Sequence, residues 1–469
     1  MPFDVYSWVT MRIREISVSR LFGTFDHVIP MNPEEHITII YGPNGFGKTA
    51  ILRMLEGLLK LRWTVFRATP FARFRVTFDN LAELEIVRSE APKPTRRRAN
   101  APSVGLTLRL VRPNSETKEA SIQATSPRLH PVVAERYLSP FLTRIGPAQW
   151  AVDETHEIIG TEEVIERYGH VLPPDSVEAK AYPWATEFLS DVNLLFIQTQ
   201  RLQDGGRHAS ADRFRRGPYP TPGSASDLDQ APAVIRHSDE IKRDIELTLA
   251  TFAARSQELD SSFPARLFQQ TRAASLQLGD LRDRLARLEN RRAELTKLGF
   301  LAPEPDSNRA LPQIDEEKRE ALSVYVLDNE QKLAVFDSLA SKIQLLTDTI
   351  NKRFQYKRMS ISKDRGFVFT SLVDGSDLSL TSLSSGEQHE IVLLYELLFR
   401  VQPKSVILVD EPEISLHLAW QQQFIADLQQ MATLSAFDAL VATHSPAIIG
   451  RRLDLAVELK GPPIPSNDA

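Results

Sequence analysis

Eight residues, Gly42 to Thr49 in "GPNGFGKT", constrain this chain more than any other stretch. They satisfy the pattern G-x-x-x-x-G-K-[ST] in full. The apolar "HITIIY" before them reads as a strand. The residues from Lys48 to about Lys60 repeat Ile51, Leu52, Leu55, Leu58 and Leu59 on one helical face. A glycine-rich turn between strand and helix lets backbone N–H groups close around phosphate oxygens, and the helix N-terminus adds positive potential. Gly42, Pro43, Asn44, Gly45, Phe46 and Gly47 are therefore expected to form a phosphate cradle, with Lys48 reaching the outer phosphates and the Thr49 hydroxyl ligating Mg²⁺. Such a loop demands an α/β sheet whose strands deliver ligand chemistry at their carboxyl ends.

Two later segments supply candidates for that edge. In "KSVILVDEPEISLH", four apolar residues from Val406 to Val409 deliver Asp410 and Glu411 to the end of a strand. A carboxylate there holds the Mg²⁺ shell, assigned to Asp410, and an adjacent one polarises the attacking water, assigned to Glu411. A helix bearing Phe424, Leu428 and Met431 leads to "FDALVATHSP", a second apolar strand that ends at Thr443 and His444. The strand-helix-strand spacing predicts His444 on the same sheet edge as Glu411, as a sensor of the γ-phosphate. The nucleotide is expected to be ATP, because no Asn-Lys-x-Asp guanine signature is present.

Elsewhere the patterning gives organisation. "RIREISVS" and "FDHVIPM" read as strands, and "RFRVTFDNLAELEIVRS" as a hairpin about an Asp-Asn turn. Residues 114 to 190 read as mixed helix and loop. Leu278, Leu281, Leu285, Leu288 and Leu295 occupy a heptad frame broken by Arg292, predicting a helix from Ala265 to Gly299 that would reach roughly 50 Å. A proline-rich tip, "APEPDSNRALPQ", and a return helix from Asp315 to Arg353 carrying Val326, Leu333, Phe336, Ile343 and Ile350 would complete a coiled-coil hairpin; the alternative is an ordinary helical subdomain. The expected organisation is an ATPase lobe at 11–230, a helical insertion at 231–355 and a second ATPase lobe at 356–469.

Taken in order, "GPNGFGKT", "FIQTQRL", "LSSGEQ", "ILVDEPEISLH" and "ATHSP" resemble the P-loop, Q-loop, signature, Walker B with D-loop, and switch histidine of ABC-type ATPase heads in the SMC, RecF and OLD-like branch. The resemblance implies an α/β fold, a P-loop ABC-ATPase-like head with mixed sheet and an inserted helical coiled-coil hairpin. It implies ATP and Mg²⁺, with Gln198 at the metal and water position and Gln200 as the other candidate. It further implies a homodimer through the heads, in which Leu383, Ser384, Ser385, Gly386 and Glu387 of one copy close on the γ-phosphate held by the other. Ser385 stands where a second glycine is usual in the family. The compact layout is similar to stand-alone AAA-type antiphage defence ATPases of the Septu and PARIS kinds, which work with a separate nuclease or effector protein. Only 25 residues follow His444, too few for the nuclease domain of OLD-like proteins, which supports a separate effector. The alternative is a repair or chromosome-maintenance ATPase of RecF or SMC type that clamps DNA; the energising subunit of a membrane transporter is the third reading.

Composition narrows the partners. Lys plus Arg numbers 56 against 61 for Asp plus Glu, so any DNA contact must be a local basic patch, such as Arg96, Arg97 and Arg98 or Arg207, Arg213, Arg215 and Arg216. Arg20 is a further candidate, toward the nucleotide. The absence of cysteine removes thiolate chemistry and any zinc hook, and is consistent with the expected cytoplasmic location. No apolar run reaches the ~18 residues of a membrane span.

Overall fold

The structure, a computed structural model, describes residues 11–89, 105–113, 116–122, 138, 141–146, 149–152, 157–168, 182–198, 233–269, 276–302, 318–414 and 418–462. The chain opens with β1 (Ile13–Leu21), β2 (Phe25–Pro30), β3 (Ile37–Tyr41), α1 (Lys48–Leu59), α2 (Thr64–Ala68), β4 (Arg73–Phe78), β5 (Glu83–Ser89), β6 (Gly105–Val111) and β7 (Lys118–Ile122). It continues through β8 (Leu142–Arg144), β9 (Gln149–Val152), β10 (Ile158–Gly160), α3 (Thr161–Tyr168), α4 (Pro183–Leu189) and β11 (Leu194–Gln198). Helices α5 (Ala233–Gln269), α6 (Leu278–Lys297), α7 (Arg319–Ala334) and α8 (Asp337–Arg353) precede β12 (Lys357–Ser362), β13 (Gly366–Ser371), β14 (Asp377–Leu378) and α9 (Ser385–Tyr395). The chain then forms β15 (Val406–Asp410), α10 (Leu418–Ser435), β16 (Asp438–Thr443), α11 (Pro446–Ile449) and β17 (Ala456–Glu458). Two compact units result, Met1–Arg207 with Val401–Ala469, and His208–Arg400.

The first unit is built on two sheets. Strands in the order β2-β1-β4-β5-β6-β7 make an antiparallel sheet, and β11-β15-β16-β3-β17 make a parallel one. Their sequences differ as their surroundings demand. Phe74, Val76 and Phe78 of β4 point inward and alternate with Arg73, Arg75 and Thr77, which suits a sheet with one covered face. All six residues of β16 are buried, as befits a parallel strand covered on both faces. Ile51, Leu52, Leu55 and Leu58 of α1 join Phe74, Val76, Leu106 and Leu108 in one core. The described part of 114–190 holds helices α3 and α4, as expected, but also β7 to β10, which were not expected, and Leu142, Trp150, Val152, Ile159 and Val164 form a separate small core there. These strands are 3 to 5 residues long, too short for alternation to register.

The second unit is mostly helical. Leu281, Leu288 and Leu295 are buried at seven-residue intervals on α6, alongside Val324, Val326 and Leu333 of α7. The helix expected from Ala265 to Gly299 does not form as one piece. Gln277 is extended and the backbone N–H of Leu276 donates to Ser323 Oγ at 3.0 Å, so α6 starts at Leu278. Its 20 residues span about 30 Å rather than 50 Å. The return helix is likewise interrupted, at Val335 and Phe336, where the Phe336 N–H turns back to the Leu333 carbonyl at 3.0 Å. The interruption buries the Phe336 ring completely, 5.0 Å from Phe252 and 5.3 Å from Phe300. Polar ties flank the apolar seam: Arg266 with Asp328, Arg284 with Glu330 at 3.1 Å, and Arg292 with Asn329 at 2.8 Å. Buried Arg353 at the end of α8 pairs with buried Glu390 of α9. Gly366, at φ 70°, lies where a Cβ would meet the Ser238 carbonyl oxygen at 2.3 Å, so only glycine lets β13 sit against α5.

Candidate active site

The glycine-rich loop joins β3 to α1, and its shape is held by neighbours as much as by its own glycines. Gly47 adopts φ 93°, a left-handed conformation that favours glycine, and the Leu21 side chain of β1 packs where a Cβ would stand, 2.3 Å from Leu21 Cδ2. The Phe46 ring packs on Phe25 at 5.0 Å, and the Phe46 carbonyl accepts from His27 Nε2 at 3.0 Å. Burial pushes the His27 pKa down, against the opposing pull of that carbonyl and of Asp26, which suits a neutral ring that donates through Nε2. The Lys48 ammonium is buried and donates to the carbonyls of Gly42 at 2.7 Å and Pro43 at 3.3 Å. A cation lodged at the loop with α1 starting beside it is a site prepared for polyanions. Pro43, Asn44 and Gly45 are exposed at its rim.

At the carboxyl edge of the parallel sheet, Gln198 of β11 lies opposite Asp410 of β15, which lies opposite Ala442 of β16. The Thr49 hydroxyl donates to Asp410 Oδ1 at 3.1 Å, so residues 361 positions apart meet. Burial raises the Asp410 pKa to about 6; the Thr49 hydrogen bond and Arg53 pull it down, while Glu411 and Glu413 push it further up. A half-buried hydroxyl–carboxylate pair suits a hard divalent cation, and Mg²⁺ is commonly held by one or two such protein oxygens with substrate phosphates and water. Thr49 and Asp410 would hold it, and it would neutralise charge developing on the phosphates. Gln198 stands at the right strand end for the same role, whereas Gln200 lies outside the described residues.

The chain turns sharply after Asp410. Glu411 takes φ 47°, a left-handed conformation that costs a non-glycine residue about 1 kcal/mol, and its N–H donates to the Ala442 carbonyl at 2.9 Å. His444, at the end of the neighbouring strand, has Nδ1 3.9 Å from Glu411 Oε1 and 3.0 Å from Glu413 Oε1. Its side chain is 47% exposed, open to a ligand. Sequence reasoning passed over Glu413. Its Oε1 also accepts from Thr443 Oγ1 at 2.8 Å and from the His444 N–H at 3.0 Å. The only signal was a third acidic residue in "DEPE", and its direction depends on a 3₁₀ turn at Pro412–Ile414 that periodicity does not reveal.

In the second unit, the serine-glycine stretch begins α9. Ser384 is the N-cap: its Oγ accepts from the Glu387 N–H at 3.3 Å, while Glu387 Oε2 accepts from the Ser384 N–H at 2.8 Å. This is a capping box. Lys357 Nζ donates to both Glu387 oxygens at 2.7 and 2.8 Å. Burial raises the Glu387 pKa, but Lys357 and Ser384 outweigh it and the net shift is downward. The Glu387 carboxylate thus organises the turn, leaving Ser384, Ser385 and Gly386 exposed above a buried Leu383. Arg20, at φ 51°, is exposed and donates its backbone N–H to Asp26 Oδ1 at 2.7 Å. The two basic clusters lie outside the described residues.

Residues 206–450 match the family described as "AAA domain, putative AbiEii toxin, Type IV TA system". This chain belongs to that family. It carries an AAA-type ATPase domain, with a P-loop between β3 and α1, mixed sheets and an inserted, mostly helical unit. No curated protein matches it. Among solved structures it is similar to the Smc head domain with an extended coiled coil bound to the C-terminal domain of ScpA from Pyrococcus furiosus, at 12% identity over 94% of this chain and 91% of that one, with a TM-score of 0.31. It is also similar to the SMC head domain from Thermotoga maritima, at 9% identity over 95% and 92% of the two chains, with a TM-score of 0.29. With superpositions this loose, the fold assignment rests on strand order and loop geometry. Among the described residues no helix is long and apolar enough to cross a membrane.

Proposed function

We propose that the protein binds and hydrolyses Mg²⁺-ATP between two heads of a homodimer and acts as a nucleotide-controlled switch for a separate effector, a nuclease or toxin-like protein, in antiphage defence. The observation that carries the ATPase part is the meeting of Thr49 with Asp410 beside the buried Lys48, at the edge that also bears Glu411 and His444. On this reading Lys48 and the loop amides hold the phosphates, Glu411 orients and polarises water, and His444 contacts the γ-phosphate. On the same reading, the exposed Ser384 at the start of α9 would meet the γ-phosphate held by a second copy. Closing it over a second copy's ATP would make nucleotide the clamp and hydrolysis the release.

The family description names a toxin of a toxin–antitoxin system, which supports a second component as partner. Glu411→Gln is expected to accumulate ATP-bound dimers by size-exclusion chromatography with light scattering, with turnover reduced about 100-fold. Parental turnover in that variant would remove Glu411 from the water-activating role. Mixing Lys48→Ala with Ser384→Arg subunits should restore one hybrid site; heterodimers that form and remain inert would exclude catalysis in trans. Co-purification with a nuclease-like protein favours the defence reading. Tight DNA retention by ATP-bound dimers lacking such a partner favours the RecF or SMC-type clamp instead.

A further inference from the structure

We propose that Glu413 is a positioning residue for hydrolysis: it fixes the His444 ring through Nδ1 and thereby makes Nε2 the nitrogen presented to the nucleotide. The inference rests on the ATPase reading above. Two hydrogen bonds converge on one oxygen, Glu413 Oε1, from the Thr443 hydroxyl at 2.8 Å and the His444 backbone N–H at 3.0 Å, and His444 Nδ1 lies in ion-pair contact with it at 3.0 Å. A nitrogen and a carboxylate oxygen this close attract each other when the proton sits between them, so the contact favours the tautomer with the proton on Nδ1 and turns the ring's other nitrogen to the ligand. The Glu413 side chain is 7% exposed, whereas the His444 side chain is 47% exposed, so the anchor is enclosed and the working ring is not.

The anchor is itself braced. Gln421 of α10 donates Nε2 to the Glu413 carbonyl at 3.1 Å and accepts from Ser445 Oγ at 3.1 Å. The Ser445 N–H donates to Thr443 Oγ1 at 3.0 Å. These bonds tie the turn after β15 to the turn after β16, the two segments that carry Glu411 and His444. Glu411 Oε1 is 3.9 Å from the same Nδ1, beyond hydrogen-bond distance, so Glu413 rather than Glu411 is the nearer carboxylate to the ring. Glu413 Oε2 is buried without a hydrogen-bond partner among the described residues, so the carboxylate is held by Oε1 alone.

The test uses the full-length protein with ATP and Mg²⁺. Glu413→Gln should lower kcat about 10- to 100-fold, the range typical when the residue that orients a reactive imidazole is removed, with KM for ATP within about threefold. In a His444→Ala background the same substitution should change kcat less than about twofold, because its effect passes through the ring. An equal loss in both backgrounds overturns the proposal and leaves a structural role. If Glu413→Gln does not fold, ¹⁵N-histidine NMR of the parent decides: His444, identified among the 10 histidines by its loss in His444→Gln, should be protonated at Nδ1. A proton on Nε2 with Nδ1 bare overturns it. A parent that binds but never hydrolyses ATP refutes the ATPase reading instead, and the NMR result still judges the Glu413–His444 geometry.

Discussion

At the residue scale, the site stores cost where it does chemistry. Asp410 is a half-buried carboxyl whose pKa is raised to about 6, so in the nucleotide-free protein its ionisation opposes folding. The folded group holds its proton more tightly than the unfolded one, near 3.9, so the stabilisation is present below about pH 4 and is lost as pH rises through 6. Discounted for partial solvent screening, Asp410→Asn is expected to stabilise the apoprotein by about 1–2 kcal/mol at pH 8 and by little at pH 4. Urea unfolding of parent and variant at the two pH values measures the difference. The same variant should lose Mg²⁺-dependent turnover, which would show stability given up for function at this position. Lys48→Ala should weaken ATP binding by at least about tenfold, read by equilibrium titration with a fluorescent ATP analogue.

At the element scale, the helical unit depends on two kinds of contact. Leu281 is fully buried on α6, and Leu281→Ala should destabilise that unit by about 2–5 kcal/mol, seen as an earlier transition in calorimetry. Glu390→Ala withdraws a carboxylate from buried Arg353 and should cost about 3–5 kcal/mol, whereas the double change Arg353→Met with Glu390→Leu should cost much less. The element-level reading of the sequence was strongest where one physical rule acted alone. Strand β3, the loop and α1 were legible because the phosphate-loop spacing and the apolar face of Ile51, Leu52, Leu55 and Leu58 agree. The heptad leucines also pointed to the buried seam, but not to the helix ends. Those were decided by Leu276 bonding to Ser323 and by Phe336 turning into an aromatic cluster, contacts between residues distant in sequence.

At the scale of the whole molecule, the proposed reading makes activity a property of pairs. Turnover per protomer should rise with protein concentration and level off once dimers saturate; a rate constant from the lowest concentrations upward would sink catalysis between heads. By itself, the sequence determined the phosphate loop, the apolar strands that carry Asp410 and His444, and the capped serine-glycine turn. Each of these is a local pattern whose chemistry is fixed by spacing along the chain. Only the tertiary structure decided that Thr49 meets Asp410, that β11 stands beside β15 and β16 beside β3, and that Glu413 rather than Glu411 takes the His444 ring. Strand order and the direction of a buried side chain come from packing the whole core at once, and no window of sequence contains that information.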